Sequence, residues 1–348
     1  MKFDIDSITR KNVRELKPYS TARDDFKGSA SVYLDANENP YATEFNRYPD
    51  PKQNVLKSAL AQLKKVESQQ ILLGNGSDEI IDLLIRAFCE PGIDNVIIPQ
   101  PTYGMYSVCA AINNVEARLP HLSPDFALNI QNINECINDR SKIIFLCSPN
   151  NPSGNLLEPD KIKLLLQSFS GLVVLDEAYI DFSEGGGFLP FLNDYPNLFL
   201  LQTFSKAWGL AGLRLGVGYG SKEIIEILDK IKPPYNINTI TQKVTLDAIN
   251  NWNQTIKWVD KLKKERNVLE GLLKQFSFVN KVYPSQTNFL LVKMTDAKAC
   301  YQYLLTKGII VRDRSSVILC DNCLRISIGT PIENKELINA LSTYQNME

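Results

Sequence analysis

A few short segments of this 348-residue chain hold residue types that could act together on one small molecule. Ser148-Pro149-Asn150-Asn151-Pro152-Ser153-Gly154, Asp176-Glu177-Ala178-Tyr179 and Thr203-Phe204-Ser205-Lys206 each follow a short apolar run. Gly209-Leu210-Ala211-Gly212-Leu213-Arg214 follows the last of them, and Gly74-Asn75-Gly76-Ser77-Asp78 opens an apolar helix pattern. Alone, each has an ordinary explanation. Asn151-Pro152-Ser153-Gly154 reads as a turn. Asp176 ends an apolar run, where a carboxylate needs a cation or N–H partner. A single lysine is normally a solvated surface group. The glycine turn lacks the Gly-Lys-Ser/Thr ending of a P-loop, and Ser77 can cap the helix with Asp78 and Glu79 in its first turn.

Together they fit pyridoxal 5′-phosphate. That cofactor needs an amine for a Schiff base, an acid beside its ring nitrogen, donors for its phenolate oxygen and a cationic, N–H-rich cup for its phosphate. Lys206 can supply the amine, Asp176 the acid, and Asn151 and Tyr179 the donors. Arg214, Thr203, Ser205 and the Gly76-Ser77-Asp78 turn can form the cup, with Tyr103 covering the ring face.

The elements that must position these residues alternate. Strands are expected at Val96–Ile98, Lys142–Cys147, Leu172–Leu175, Leu198–Gln202 and Arg214–Gly218. Helices are expected at Gln53–Lys65, Asp78–Cys89, Tyr106–Asn113, Pro159–Phe169 and Lys222–Lys230. The alternation predicts an α/β fold with a mostly parallel sheet covered by helices, whose ligands sit beyond the carboxyl ends of the strands. Residues 1–28 read as an N-terminal arm, 29–232 as a large cofactor-binding domain and 233–348, after Lys232-Pro233-Pro234, as a smaller α+β domain. In the small domain a long helical stretch (Thr239–Phe276, with possible breaks) precedes strands at Phe278–Val282, Phe289–Val292, Ile309–Val311, Ser316–Leu319 and Leu324–Ile328. A helix is expected near Asp296–Thr306 and a last one from Pro331.

Composition narrows the function. With 38 Lys+Arg against 39 Asp+Glu the net charge is −1, so the basic excess of a nucleic-acid binder is missing. No apolar run is long enough to span a bilayer, and the acid-broken start has no signal-peptide core, which predicts a cytoplasmic protein. Seven scattered cysteines argue against a disulfide framework. Cys320-x-x-Cys323 has metal-pair spacing, but no second pair or nearby His completes a site, so no metal centre is expected. The single histidine, His121, lies in a turn-rich stretch. Proton transfer must therefore use Lys, Tyr, a carboxylate or a cofactor.

The sequence resembles the fold type I pyridoxal-phosphate aminotransferases, and within them the histidinol-phosphate aminotransferase family. The segments above carry the likeness, with Asn12-Val13-Arg14-x-Leu16-x-Pro18-Tyr19, Leu34-x-Ala36-Asn37-Glu38-Asn39-Pro40, Arg47-Tyr48-Pro49, Arg86-Ala87-Phe88, Pro101 to Tyr106, Thr287-Asn288-Phe289, Gly308 to Arg312 and Leu324 to Thr330. The likeness covers nearly the whole chain. It implies a transaminase using L-histidinol phosphate and the 2-oxoglutarate/glutamate pair in histidine biosynthesis. Lys206, Asp176 and Tyr179 would be catalytic, and Tyr19, Tyr48, Asn151, Arg312 and Arg325 would contact substrate. Tyr48 would reach the neighbouring cofactor's phosphate across a homodimer with composite sites. Related enzymes that act on aromatic amino acids or decarboxylate threonine phosphate share the motifs and remain open. A pyridoxal-phosphate sensor domain and a nucleotide-binding α/β protein are weaker alternatives.

Overall fold

Runs of Val, Ile, Leu and Phe without polar alternation form strands only where both faces are covered. The computed structural model, which describes residues 3–21, 28 and 30–346, supplies that cover. One sheet contains β1 (Ile71–Asn75), β2 (Asn95–Ile97), β3 (Glu116–Arg118), β4 (Ser141–Cys147), β5 (Leu172–Asp176), β6 (Leu198–Thr203) and β7 (Leu215–Tyr219). The order is β1-β7-β6-β5-β4-β2-β3. Strands β2 to β6 pair in parallel, and β7 runs antiparallel to both of its neighbours. The expected mostly parallel sheet is therefore present.

Each face buries its own apolar cluster. Leu73, Ile144, Leu175 and Leu200 point to one side; Phe145, Val174, Phe199 and Leu201 point to the other. The helix Gly76–Phe88 lies on the second face because Ile80, Ile81, Leu84, Ile85 and Phe88 recur at helical spacing. Its start lies tight against β7. A Cβ at Gly216 would stand 2.3 Å from the Ser77 nitrogen, so only glycine permits this approach.

Beyond the large sheet, β8 (Val279–Val282), β9 (Phe289–Met294), β10 (Arg312–Asp313) and β11 (Cys323–Ser327) form an antiparallel sheet of order β10-β11-β9-β8. Helices Ala297–Thr306 and Pro331–Gln345 and the end of Trp252–Leu273 bury a third apolar cluster against it.

The long helical stretch breaks once, at Asn251, into Thr239–Asn250 and Trp252–Leu273. Two expected strands are corrected. Ile309–Val311 is not a strand. The Ile309 N–H turns back to the Leu304 carbonyl across Gly308 at φ +71°, and Ile309 and Val311 pack on the third cluster as a helix stop. Ser316–Leu319 is not a strand either. Successive bonds from Val317 to Arg314, Cys320 to Val317 and Cys323 to Cys320 coil it into turns, which Leu319 passes at φ 62°. Near the start of the chain, Ile5–Ile8 and Lys11–Glu15 are short helices whose Ile8 and Val13 are buried in the cluster on the second face. The expected start of the large domain at residue 29 lies outside the described residues.

Candidate active site

Parallel register carries the chemistry to one end of the sheet. Cys147 at the end of β4 pairs with Asp176 at the end of β5, which pairs with Leu201 near the end of β6. The loops that follow close on the start of Gly76–Phe88, and the Gly76 N–H donates to the Arg214 carbonyl at 2.6 Å. The result is a cavity of about 150 Å³. Gly76, Ser77, Asp78, Tyr103, Asn151, Asp176, Tyr179, Thr203, Ser205, Lys206 and Arg214 all line it, beside Cys147, Ala178 and Ala211.

Asp176 is 3% exposed. Burial pushes its carboxyl up to about 6, against the pull of the Tyr106 hydroxyl and the Ala178 N–H. These donate to Oδ2 at 2.7 Å and Oδ1 at 3.0 Å. Lys206 stands exposed at the cavity mouth, with Nζ 5.6 Å from the Tyr179 ring centroid. Desolvation and then repulsion from Arg325 lower its ammonium's affinity for the proton, and Asp176 and Asp78 restore part of it. Arg325 donates to the Asn151 Oδ1 at 2.5 Å and lies over the Phe289 ring.

The cup is built from backbone. Gly76 sits at φ +75°, and a Cβ there would be 2.7 Å from an Arg214 nitrogen. No side chain caps this helix: Asn75 is the N-cap residue, and Ser77 lies inside the first turn. The expected Ser77 cap is therefore absent. The opening N–H groups and the positive helix end stay available to an anion beside the Arg214 guanidinium. Tyr103 donates to Asp78 at 3.0 Å, and the Thr203 hydroxyl accepts the Ser205 N–H at 3.1 Å. One amine, one buried acid, phenol and amide donors and a cationic cup match what pyridoxal phosphate requires of its site.

Three expected residues stand apart. Tyr48 is 49% exposed, stacks on Tyr235 at 4.4 Å and lines a separate cavity of about 430 Å³ with Asn37 and Asn238. Tyr19 is exposed and does not line the Lys206 cavity. Arg312 is exposed on β10, opposite Arg325.

Two residues were not singled out. Tyr106 grips Asp176, and its only sequence signal is its place three residues after Tyr103. Asn236 accepts from Asn75 at 2.5 Å and donates to the Leu73 carbonyl and Glu79 at 2.9 Å, holding the turn before Gly76. No local pattern announces a contact so distant in sequence.

Glu177, beside Asp176, points away and ties down another loop. Its carboxylate accepts from the Phe188 N–H at 2.6 Å and Gln202 at 3.0 Å. Burial still pushes it from an ordinary 4.5 up to about 7. The folded chain thus keeps a proton that the unfolded chain has released between those values, and stability falls as pH rises through the window. Glu177→Gln removes this dependence. Its stability relative to the natural protein is expected to rise by up to about 3 kcal/mol between pH 4.5 and pH 8, measured by urea unfolding. A difference that does not vary with pH refutes this.

The site can be compared with known proteins. A family model for aminotransferase class I and II matches residues 27–341. The chain is 51% identical to the histidinol-phosphate aminotransferase of Cytophaga hutchinsonii, over 99% of this chain and 100% of the relative. The crystal structure of the histidinol-phosphate aminotransferase from Clostridium acetobutylicum is similar at a TM-score of 0.80 and 25% identity, covering 87% of this chain and 92% of that one. The enzyme of the same name from Sinorhizobium meliloti, solved in complex with pyridoxal 5′-phosphate, shares the fold at a TM-score of 0.79 and 23% identity, over 86% of this chain and 83% of that one. Among the described residues no helix is long and apolar enough to cross a membrane.

Proposed function

The chain belongs to the class I and II aminotransferases, and on that premise we propose that it moves the amino group of L-histidinol phosphate to 2-oxoglutarate, with pyridoxal 5′-phosphate as cofactor, in histidine biosynthesis. The observation that carries the reading is one cavity that sets a destabilised ammonium, Lys206, near a buried carboxylate, Asp176, beside the Gly76 cup. The substrate is supported by relatives that match end to end.

When bound, pyridoxal phosphate supplies an aldehyde that condenses with amines and a ring that accepts the electron pair released at the substrate's α-carbon. The chain's residues do the rest. Asp176 keeps a negative charge in the cavity, where it would favour a proton on the cofactor's ring nitrogen. Lys206 in its neutral form takes the α-proton and returns it one position along, which general-base work requires. Asn151 and Tyr179 would donate to a phenolate oxygen. The first-turn amides, Ser205, Thr203 and Arg214 would hold a phosphate. Arg325 presents a planar fork suited to a carboxylate, and Arg312 lies across the ribbon from it. Tyr48, exposed in one chain, serves the neighbouring cofactor's phosphate in a cytoplasmic homodimer, and Tyr19 of the arm shares the substrate's anionic end with Arg312 and Arg325. In this reading residues 1–28 are the arm, 29–232 the large domain and 233–348 the small one.

The test is a panel of amino donors with 2-oxoglutarate as acceptor and carbon dioxide followed in parallel. L-Histidinol phosphate is expected to exceed tyrosine, phenylalanine and threonine phosphate in kcat/KM by about a hundredfold or more. Faster turnover of an aromatic amino acid, or release of carbon dioxide from threonine phosphate, overturns the substrate assignment.

A further inference from the structure

The ribbon β10–β11 carries three guanidinium groups on one face. Arg325 lies directly across from Arg312 in the register. The Arg314 N–H donates to the Cys323 carbonyl at 2.8 Å, which extends the pairing one step past the end of β10. Residues two apart on a strand share a face, so Arg314 lies beside Arg312 and Arg325. The opposite face of the ribbon is committed: Leu324 is buried in the third apolar cluster. The arginine face therefore looks toward the Lys206 cavity, where Arg325 reaches Asn151.

Among the described residues none of the three forms an ion pair, although Arg10, Arg47, Arg86, Arg118 and Arg214 each do. The Nε of Arg314 is buried without a hydrogen-bond partner. A buried charged donor left unpaired is costly, and three like charges grouped without an acid add mutual repulsion. The guanidiniums register both effects. Burial and then Arg325 and Arg312 disfavour the charge on Arg314, while burial and Arg312 disfavour it on Arg325. Such a group is complete only with an anion.

We propose that Arg314 joins Arg312 and Arg325 in a pocket that binds the phosphoryl group of the amino donor and distinguishes it from a carboxylate. This rests on the donor being a phosphorylated amine, as read above. A carboxylate brings one negative charge and two oxygens, which one or two arginine forks satisfy. A phosphate monoester brings nearly two charges and three terminal oxygens, and the third guanidinium matches that excess. Arg314 thus tunes donor affinity more than acceptor affinity.

The test uses the holoenzyme of Arg314→Gln and Arg314→Lys. Arg314→Gln is expected to raise KM for L-histidinol phosphate about tenfold or more, with kcat and the KM for 2-oxoglutarate moving less than about threefold. Arg314→Lys, which keeps the charge and loses the fork, recovers part of the loss and serves alone if the glutamine variant does not fold. Inorganic phosphate titrated calorimetrically into each holoenzyme gives a readout independent of turnover. It should bind the natural protein, compete with the donor and weaken about tenfold in Arg314→Gln. Equal losses for donor and acceptor, or unchanged phosphate binding, overturn the proposal. If the natural enzyme does not turn over L-histidinol phosphate, the substrate assignment fails instead, and the phosphate titration still decides the role of Arg314.

Discussion

Lys206→Ala is expected to lower transamination by about ten-thousandfold or more, because the proposed mechanism asks one side chain both to attach the cofactor and to carry the proton. The structure explains why no neighbour substitutes for it. The other groups lining the cavity are carboxylates, hydroxyls, a thiol, an amide and the Arg214 guanidinium, and none is an amine. Arginine is too basic to stand in for a neutral amine. The fold should not notice the change. Lys206 is exposed and its side chain makes no hydrogen bond or ion pair among the described residues, so its loss is worth about 0.5 kcal/mol or less. Three readouts separate chemistry from folding. The thermal midpoint should stay within a few degrees. The natural holoenzyme should absorb visible light as a yellow protein. Borohydride followed by peptide mass analysis should leave the cofactor on the peptide bearing residue 206 and on no peptide of the variant. An adduct at another lysine, or turnover within tenfold of normal, removes Lys206 from the role.

The pH dependence of the natural enzyme should follow the same residue. Desolvation and Arg325 favour the uncharged amine, so its loss of a proton comes at lower pH than for a free lysine. Exposure at the cavity mouth limits that effect through solvent screening.

The strand ends were legible in the sequence for a geometric reason. Parallel strands present all their carboxyl ends to one side, so whatever follows β4, β5 and β6 must meet. Asn151, Asp176, Thr203 and Lys206 meet without any long-range information beyond the alternation of strand and helix. β1 was not legible, because Leu73-Gly74-Asn75-Gly76 has the composition of a turn. It is a strand because β7 pairs with it and glycine at 216 and 218 lets the neighbouring layer close in. The apolar runs at 309–311 and 316–319 show the opposite error. Their side chains serve clusters next to the small sheet while their backbones bond locally, and hydrophobicity alone does not separate burial from pairing. Arg312 and Arg325 stood out through resemblance, whereas Arg314 gains meaning only once the register aligns the three on one face. Tyr48 illustrates the limit of a single chain. Its motif is plain, but it stacks on Tyr235, away from the lysine, and the role proposed for it calls for a second copy.

Asp176→Asn should lower kcat by about a thousandfold, since a buried contact ion pair at an effective dielectric near 20 is worth about 4 kcal/mol. Asparagine is the informative choice. Alanine would strand the Tyr106 hydroxyl and the Ala178 N–H, a loss of about 1–3 kcal/mol for each buried group, and would mix instability with lost chemistry. The amide keeps an acceptor for Ala178 and can donate to the Tyr106 oxygen, so most of the contact is kept while the charge is removed. Stability then gives an independent sign. Without the cofactor, burial holds the Asp176 carboxyl at about 6 against an ordinary 3.8, so the folded chain binds the extra proton between those values. Ionisation above pH 6 therefore costs the natural cofactor-free protein stability that the asparagine variant keeps. The variant should be the more stable of the two at pH 8, with the gap narrowing towards pH 4. A bound ring cation reverses the balance, because it favours the carboxylate that burial disfavours. The natural protein should thus gain more in thermal midpoint from added cofactor than the variant does. Near-normal turnover, or an equal gain from the cofactor in both proteins, means that Asp176 does not face a cation and that its charge serves another end.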